Sequence, residues 1–279
     1  MIFVNARFVT QPLTGVQRYA FEICRQLKLL SDQIVFLSPR NIRQHHWAEH
    51  LSVKVIGRTS GHFWEQFELP FFLAAKKRAI LFSPCNTGPL FFARQMLTLH
   101  DLSFKLYPAY NSLLFRVWYN FLIPLLCQRV QHVFTVSECI KAELMQHYHI
   151  AGSRVSVTYN GLADNMRMNP RLKMQKEKMI VTVGSFHQRK NLKMLVKAFL
   201  SAELAPQYTL VAIGSNHDVY SKGDQQGYTG IQLLKDADDE MLKDYYANAE
   251  IACFMSVYEG FGIPVLEALH YDCKVICAD

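Results

Sequence analysis

Short apolar runs rich in β-branched and aromatic residues alternate with helix-period segments along almost the whole chain, and this rhythm restricts its fold more than any other feature. Strands are predicted at Ile2–Val4, Ile34–Leu37, Val53–Ile56, Ile80–Phe82, Met96–Leu99, Val133–Val136 and Val155–Thr158. Four more follow at Ile180–Val183, Thr209–Ile213, Ile251–Phe254 and Val275–Cys277. Between them lie amphipathic segments; in Val16, Tyr19, Ala20, Ile23, Leu27 and Leu30 the apolar positions recur at helical spacing. Thr14-Gly15-Val16-Gln17 opens that helix with a capping-box pattern. Repeated β-α-β order predicts an α/β chain with parallel sheets, each covered on both faces by helices.

The rhythm breaks once, in a polar, basic stretch without apolar periodicity around Asn165 to Lys178. Its position predicts a first domain over 1–165, a linker over 166–178 and a second domain over 179–279. Four predicted strands and a stop just after a strand make the second domain read as incomplete, since open sheet faces and edges are costly. Half of the 279 residues are hydrophobic and 19% are charged, which supplies cores and argues against global disorder. The net charge of +7 favours anionic partners, although no nucleic-acid-binding motif or basic stripe accompanies it. Seven scattered cysteines without a C-x-x-C pair, several inside apolar runs, read as buried free thiols in a reducing compartment. The N-terminus lacks the basic and long apolar regions of a signal peptide. The apolar stretch from Leu113 to Val136 is interrupted by Arg116, Asn120, Pro124, Gln128 and Arg129, whereas a spanning helix needs about 20 nearly uninterrupted apolar residues. A buried helix plus a strand is predicted there, in a cytoplasmic protein. Phe63–Phe72, followed by Lys76-Lys77-Arg78, would also suit docking on an anionic membrane surface.

Chemistry-bearing residues gather where strands give way to helices, the ligand-binding edge of open α/β sheets. After Ile251–Phe254 comes a loop with Glu259, Gly260, Phe261 and Gly262, then a helix opened by Pro264 and carrying Glu267. Two carboxylates beside free helix N–H groups suit a ligand with both hydroxyls and phosphate, or they are merely acids favoured at a helix start. After Ile180–Val183, Gly184 permits close backbone approach, Arg189 and Lys190 follow, and Asn191 is expected to cap the next helix. Fixed cations there stabilise charge growing on a departing phosphate, or they form a solvated basic turn. Gly15 starts the first helix and is compatible with ligand approach or with capping. His100, in Leu99-His100-Asp101-Leu102-Ser103, ends a strand and could meet a hydroxyl or simply be hydrogen-bonded. Asp236-Ala237-Asp238 spells a metal-binding D-x-D pair, but it precedes an amphipathic helix and reads as capping, so no metal is expected.

Ser256-Val257-Tyr258-Glu259-Gly260-Phe261-Gly262-Ile263-Pro264-Val265-Leu266-Glu267 resembles the E-x7-E signature of the family-4 retaining glycosyltransferases. Gly184-Ser185-Phe186-His187-Gln188-Arg189-Lys190-Asn191-Leu192 is similar to that family's diphosphate-binding loop, Thr14-Gly15-Val16-Gln17-Arg18-Tyr19 to its first-domain glycine loop, and His100 to Phe104 to a phrase of its bacterial mannosyltransferases. Beyond Glu267 the chain departs, reading Tyr271-Asp272-Cys273-Lys274 where the family has a glycine-containing turn. The resemblance implies the GT-B architecture: two Rossmann-like doubly wound domains facing a cleft. It implies a nucleotide-sugar co-substrate, no required metal or other cofactor, and retention of configuration. Arg189 and Lys190 would stabilise the diphosphate, Glu259 would hold the donor sugar and Glu267 the ribose. Leu234 and Lys235 would lie near the nucleobase, Gly15 would face the donor from the first domain, and His100 would contact the donor sugar, with the acceptor attacking from their side. The implied function is hexose transfer, with mannose from GDP-mannose the first choice, to a saccharide or lipid-linked saccharide in bacterial surface polysaccharide or lipopolysaccharide synthesis. A truncated, non-catalytic fragment that binds nucleotide sugar or a partner is the alternative, and a sugar-nucleotide epimerase shares the architecture without this set of motifs.

Overall fold

The structure, a computed structural model, describes residues 1–167, 175–205, 207–214, 229–235 and 237–278. It falls into two compact units, Met1–Asn160 and Gly161–Asp279. Among the described residues of the first unit, β1 (Ile2–Asn5), β2 (Ile34–Ser38), β3 (Lys54–Val55), β4 (Ile80–Ser83), β5 (Gln95–Leu99), β6 (His132–Thr135) and β7 (Val155–Val157) form one sheet. Its order is β3-β2-β1-β4-β5-β6-β7, and every pairing is parallel. In the second unit, β8 (Glu177–Val183), β9 (Thr209–Gly214), β10 (Ile231–Lys235), β11 (Ala249–Phe254) and β12 (Lys274–Cys277) form a parallel sheet ordered β10-β9-β8-β11-β12.

The two-residue period of a strand divides each sheet's apolar side chains between two helical layers. Val4, Phe36 and Phe82 face the helix Gly15–Leu30 and pack on its Ala20, Phe21 and Cys24. Their neighbours Phe3, Leu37 and Leu81 point the other way, onto Trp64, Leu69 and Leu73. In the second sheet Val181, Val211 and Ala252 pack with Tyr246, Ala268 and Tyr271. Ile180, Leu210 and Cys253 pack instead against the helix Leu192–Ser201. Each fully buried Leu or Phe contributes about 1.5–3 kcal/mol, so both faces need cover. The layer over Phe3 and Leu37 contains an irregular turn. The helix that begins at Gly61 widens to a π turn over Trp64–Glu68 and resumes α-helical form over Leu69–Ala74.

Four local expectations change. β10 was not foreseen, because Gln232 and Lys235 are exposed on this edge strand and interrupt its apolar run. Met166, placed by pattern in the linker, is fully buried in the second unit's core, and Glu177 and Lys178 already belong to β8; residues 168–174 of that stretch lie outside the described residues. The helix Leu113–Arg129 buries Leu122, Ile123, Leu126 and Cys127 but leaves Leu113, Leu114, Phe115, Val117 and Phe121 exposed. No described helix is long and apolar enough to cross a membrane. Thr14 makes no capping bond to the backbone; its hydroxyl instead meets the Gln17 side chain. Among the described residues the seven cysteines are free, as read, but Cys139 and Cys277 are exposed where burial was expected.

At Tyr271-Asp272-Cys273, where a glycine-containing turn was expected, Asp272 itself adopts a left-handed backbone with φ 56°. The Cys273 N–H donates to the Ala268 carbonyl, which closes the helix Ile263–His270. Asp tolerates this conformation better than most residues, but not without cost. Asp272→Gly should therefore leave the fold intact and raise stability by up to about 1 kcal/mol, read as a higher urea midpoint; a lower midpoint would show that the exposed side chain holds the turn.

Candidate functional site

β8 and β11 are neighbours in the second sheet, yet the chain leaves β8 toward β9 and β10 on one side and reaches β12 on the other side of β11. The loops at their carboxyl ends therefore part company and leave a crevice, the usual ligand position in an open α/β sheet. The loop after β8 brings Gly184, Arg189 and Lys190, and the loop after β11 brings Glu259, Gly260, Phe261 and Gly262. A concavity between them is lined by Gly184, Ser185, Phe186, Lys190, Met255 and Ser256.

Backbone geometry makes this approach achievable. The Gly184 N–H donates to the Ile213 carbonyl at 2.9 Å, and a Cβ on Gly214 would sit 1.9 Å from the Gly184 carbonyl oxygen. Gly214, which sequence reasoning did not single out, is thus required to be small so that the first loop can fold over the end of β9. The Val257 N–H donates to the Arg189 carbonyl at 2.9 Å, which ties the two loops together by backbone. Asn191 enters the next helix with φ 55° and makes no side-chain cap; its carbonyl accepts the Met194 N–H at 3.0 Å. Gly262 stands at φ 90°, where a side chain would be strained, and opens the helix Ile263–His270 with Pro264 in its first turn.

Three of the predicted site residues converge directly. The Lys190 ammonium donates to Glu259 Oε1, while Arg189 donates to the Tyr258 carbonyl and lies 3.4 Å from Glu259 Oε2. Burial alone would raise the Glu259 pKa, but Lys190 and Arg189 outweigh it and hold the carboxyl below its ordinary range. All three side chains retain partial exposure, so they can exchange partners with a ligand. Glu267 is buried, and its Oε2 accepts from the Tyr246 hydroxyl at 3.2 Å. Leu234 and Lys235 lie on the edge strand β10, two strands from β8 rather than in a loop. Asp238 caps the helix Asp239–Asn248 by accepting the Met241 N–H at 2.8 Å, as the capping reading of D-x-D expected; Asp236 lies outside the described residues.

The remaining candidates belong to the first unit. Gly15 is exposed at a helix start, and Tyr19 from that helix meets the His100 ring edge-on at 4.7 Å. His100 is buried at the end of β5, its Nε2 donating to the Pro84 carbonyl at 2.8 Å. Burial pushes its pKa down and favours the neutral ring, in which this tautomer leaves Nδ1 as the acceptor nitrogen. A further cluster escaped sequence reasoning. At the order reversal of this sheet, between β1 and β4, buried Arg7 lies 3.1 Å from buried Glu65, and Asn5, Thr87 and His62 complete the carboxylate's bonds at 2.8, 2.8 and 3.2 Å. Burial opposes ionisation of Glu65, yet Arg7, His62 and Asn5 hold its pKa at about 2.

Two family descriptions together match most of the chain. "Glycosyltransferase Family 4" matches residues 13–165, and "Glycosyl transferases group 1" matches 166–279. The O-antigen chain mannosyltransferase RfbU of Salmonella typhimurium is 28% identical over 200 residues, which is 70% of this chain and 54% of that protein. The O-antigen chain mannosyltransferase B of Escherichia coli is 22% identical over 97% of this chain and 80% of its own length. The chain therefore spans about half of the first relative and four-fifths of the second. Among solved structures, Anabaena HepE in complex with UDP and glucose superposes with a TM-score of 0.69 at 16% identity, covering 100% of this chain and 80% of that one. WaaG, a glycosyltransferase of lipopolysaccharide biosynthesis, superposes with a TM-score of 0.65 at 14% identity, covering 99% and 80%. At these identities the structures establish the shared fold, a GT-B-type pair of Rossmann-like sheets.

The buried pair in the first unit has a measurable signature. Glu65 titrates near 4.5 when unfolded and near 2 when folded, so its contribution is complete above pH 4.5 and is lost as pH falls toward 2. Glu65→Gln leaves Arg7 buried without its counter-charge and should cost about 3–5 kcal/mol at neutral pH. Urea unfolding at a series of pH values checks both statements; the substituted protein should lose part of the acid-induced fall in stability.

Proposed function

We propose that this chain, which belongs to glycosyltransferase family 4, transfers a hexose from a nucleotide sugar to a saccharide or lipid-linked saccharide with retention of configuration. The observation that carries this reading is the meeting of Arg189 and Lys190 with Glu259 at the carboxyl ends of β8 and β11. Two fixed cations in a partly shielded crevice are what a departing diphosphate requires, because its charge grows as the bond to the sugar's anomeric carbon breaks. The carboxylate already bound to those cations is next to the same point and can accept hydrogen bonds from sugar hydroxyls once phosphate oxygens take its place.

In this reading the acceptor oxygen bonds to the anomeric carbon on the face the diphosphate leaves, and its proton passes to the departing phosphate oxygen. Glu267 would bind the ribose after exchanging its Tyr246 contact, and Gly184, Gly260, Phe261 and Gly262 would border the donor. Leu234 and Lys235 are weaker candidates for nucleobase contacts because they sit on the edge strand. Gly15 would face the donor and neutral His100 would contact a hydroxyl of the donor sugar, with the acceptor approaching from their side. No step needs a metal or other cofactor. The names of the two relatives support O-antigen or related surface polysaccharide synthesis and favour mannose, from GDP-mannose, as the sugar. The free cysteines support a reducing, cytoplasmic setting.

Incubation with GDP-mannose and with UDP-sugars, in the presence of lipid-linked and free saccharide acceptors, should yield product from at least one donor with the donor's anomeric configuration. Absence of turnover with every donor would overturn the transferase reading, and an inverted product would overturn retention alone. Arg189→Ala and Lys190→Ala should each lower kcat by roughly 10²–10³-fold, as removal of a transition-state charge partner does, with smaller changes in KM.

A further inference from the structure

We infer that Tyr246 is the positioning residue for the ribose contact: its hydroxyl holds the Glu267 carboxylate in place in the free protein and turns to the Pro264 carbonyl when a ribose hydroxyl arrives. Tyr246 lies on the helix Asp239–Asn248 and is fully buried among Val181, Ala252 and Ala268. Phenylalanine would fill the same space, so packing alone does not demand the hydroxyl. That hydroxyl has two acceptors on the neighbouring helix Ile263–His270: Glu267 Oε2 at 3.2 Å and, one turn earlier, the Pro264 carbonyl at 3.4 Å. Burial foremost, and the Glu267 charge after it, push the Tyr246 pKa well up, so the group stays a donor.

The ring that carries this donor is itself fixed. It stacks on Tyr271 with centroids 6.0 Å and planes 22° apart, and the Tyr271 hydroxyl donates to the Met166 carbonyl at 3.3 Å. The Lys176 ammonium donates to the carbonyls of Tyr246 at 3.1 Å and Tyr271 at 2.6 Å, which ties the ends of the two helices together. A buried carboxylate that loses a donor turns toward water or another partner. A phenol has one proton to give, so it makes one strong bond at a time. When a ribose hydroxyl donates to Glu267, the tyrosine proton swings to Pro264 and no hydrogen bond is forfeited. The carboxylate is thus ordered before the ligand binds, and the exchange costs little. The role assigned to Tyr246 rests on the proposed contact between Glu267 and a ribose.

The test is calorimetric titration of the chain with GDP and UDP and with their dideoxyribose analogues. The wild type should bind at least one ribonucleotide more tightly than its analogue. Tyr246→Phe should weaken that ribonucleotide by on the order of ten-fold and leave the analogue's affinity unchanged, with an unaltered circular dichroism spectrum. In a Glu267→Ala background the same substitution should change neither affinity, since Tyr246 acts through that carboxylate. Should Tyr246→Phe not fold, the wild type isotope-labelled at tyrosine Cζ supplies the answer by NMR. The Tyr246 resonance should shift on addition of the ribonucleotide and stay in place with the analogue. A tyrosine that only packs would lower both affinities together. That result, unchanged or tighter ribonucleotide binding by the folded variant, or a Cζ resonance indifferent to the ribose would overturn the role of Tyr246. A wild type that binds no nucleotide, or binds both forms equally, would instead overturn the ribose contact of Glu267, and the role of Tyr246 with it.

Discussion

The contact between Glu259 and the paired cations Arg189 and Lys190 is the interaction on which the second unit's site depends. It joins two loops far apart in sequence that meet because β8 and β11 lie side by side. A carboxylate in this setting would be driven toward its neutral form by burial, and the cations would be costly to shield from water individually. Together they are stable, and they hold each other in a defined place. On the proposed reading, preorganisation follows: charges meant for a phosphate are oriented by a partner that resembles one, so less reorganisation would remain when substrate arrives. The backbone bond from Val257 to Arg189 and the close approach of Gly184 to Gly214 serve the same end by fixing the loop bases.

The parts legible in the sequence are those whose physics is local. Strand runs and helix periodicity located nearly all the sheet, because burial on both faces demands apolar side chains at every strand position. The glycine-bordered carboxylate loop and the Arg189-Lys190 turn were visible because their residues are contiguous and their wording is distinctive. β10 was hidden because an edge strand with Gln232 and Lys235 facing solvent lacks the apolar run of a central strand. The Arg7–Glu65 pair left no trace: its partners are 58 positions apart, on different elements, and only the packed layers bring them together. Asp272 shows the converse, where a missing glycine was noticed but the backbone conformation it would have served was kept.

The two units treat ionic groups differently. In the second, the charged triad is partly exposed and lies where strand order reverses, so its partners are exchangeable. In the first, the equivalent reversal is occupied by a fully enclosed carboxylate whose oxygens are consumed by Arg7, Asn5, Thr87 and His62. Breaking such a network is costly even if forming it adds little net stability, so it specifies one arrangement of the layers more than it strengthens them.

The π turn at Trp64–Glu68 makes one further demand, on length. It lets one short helical stretch direct Trp64 and Glu65 inward while Phe63 and Phe67 face solvent. A regular helix advances about 100° per residue, so removing one residue from this turn would rotate the segment before it against the segment after it by about that angle. Glu65 or the outer phenylalanines would then leave their face, and no substitution elsewhere in the helix could restore both. Side chains along this stretch can vary, but the number of residues between Phe63 and Leu69 is a conserved quantity of the geometry, and an insertion or deletion there would disturb the interior and the surface in a single step.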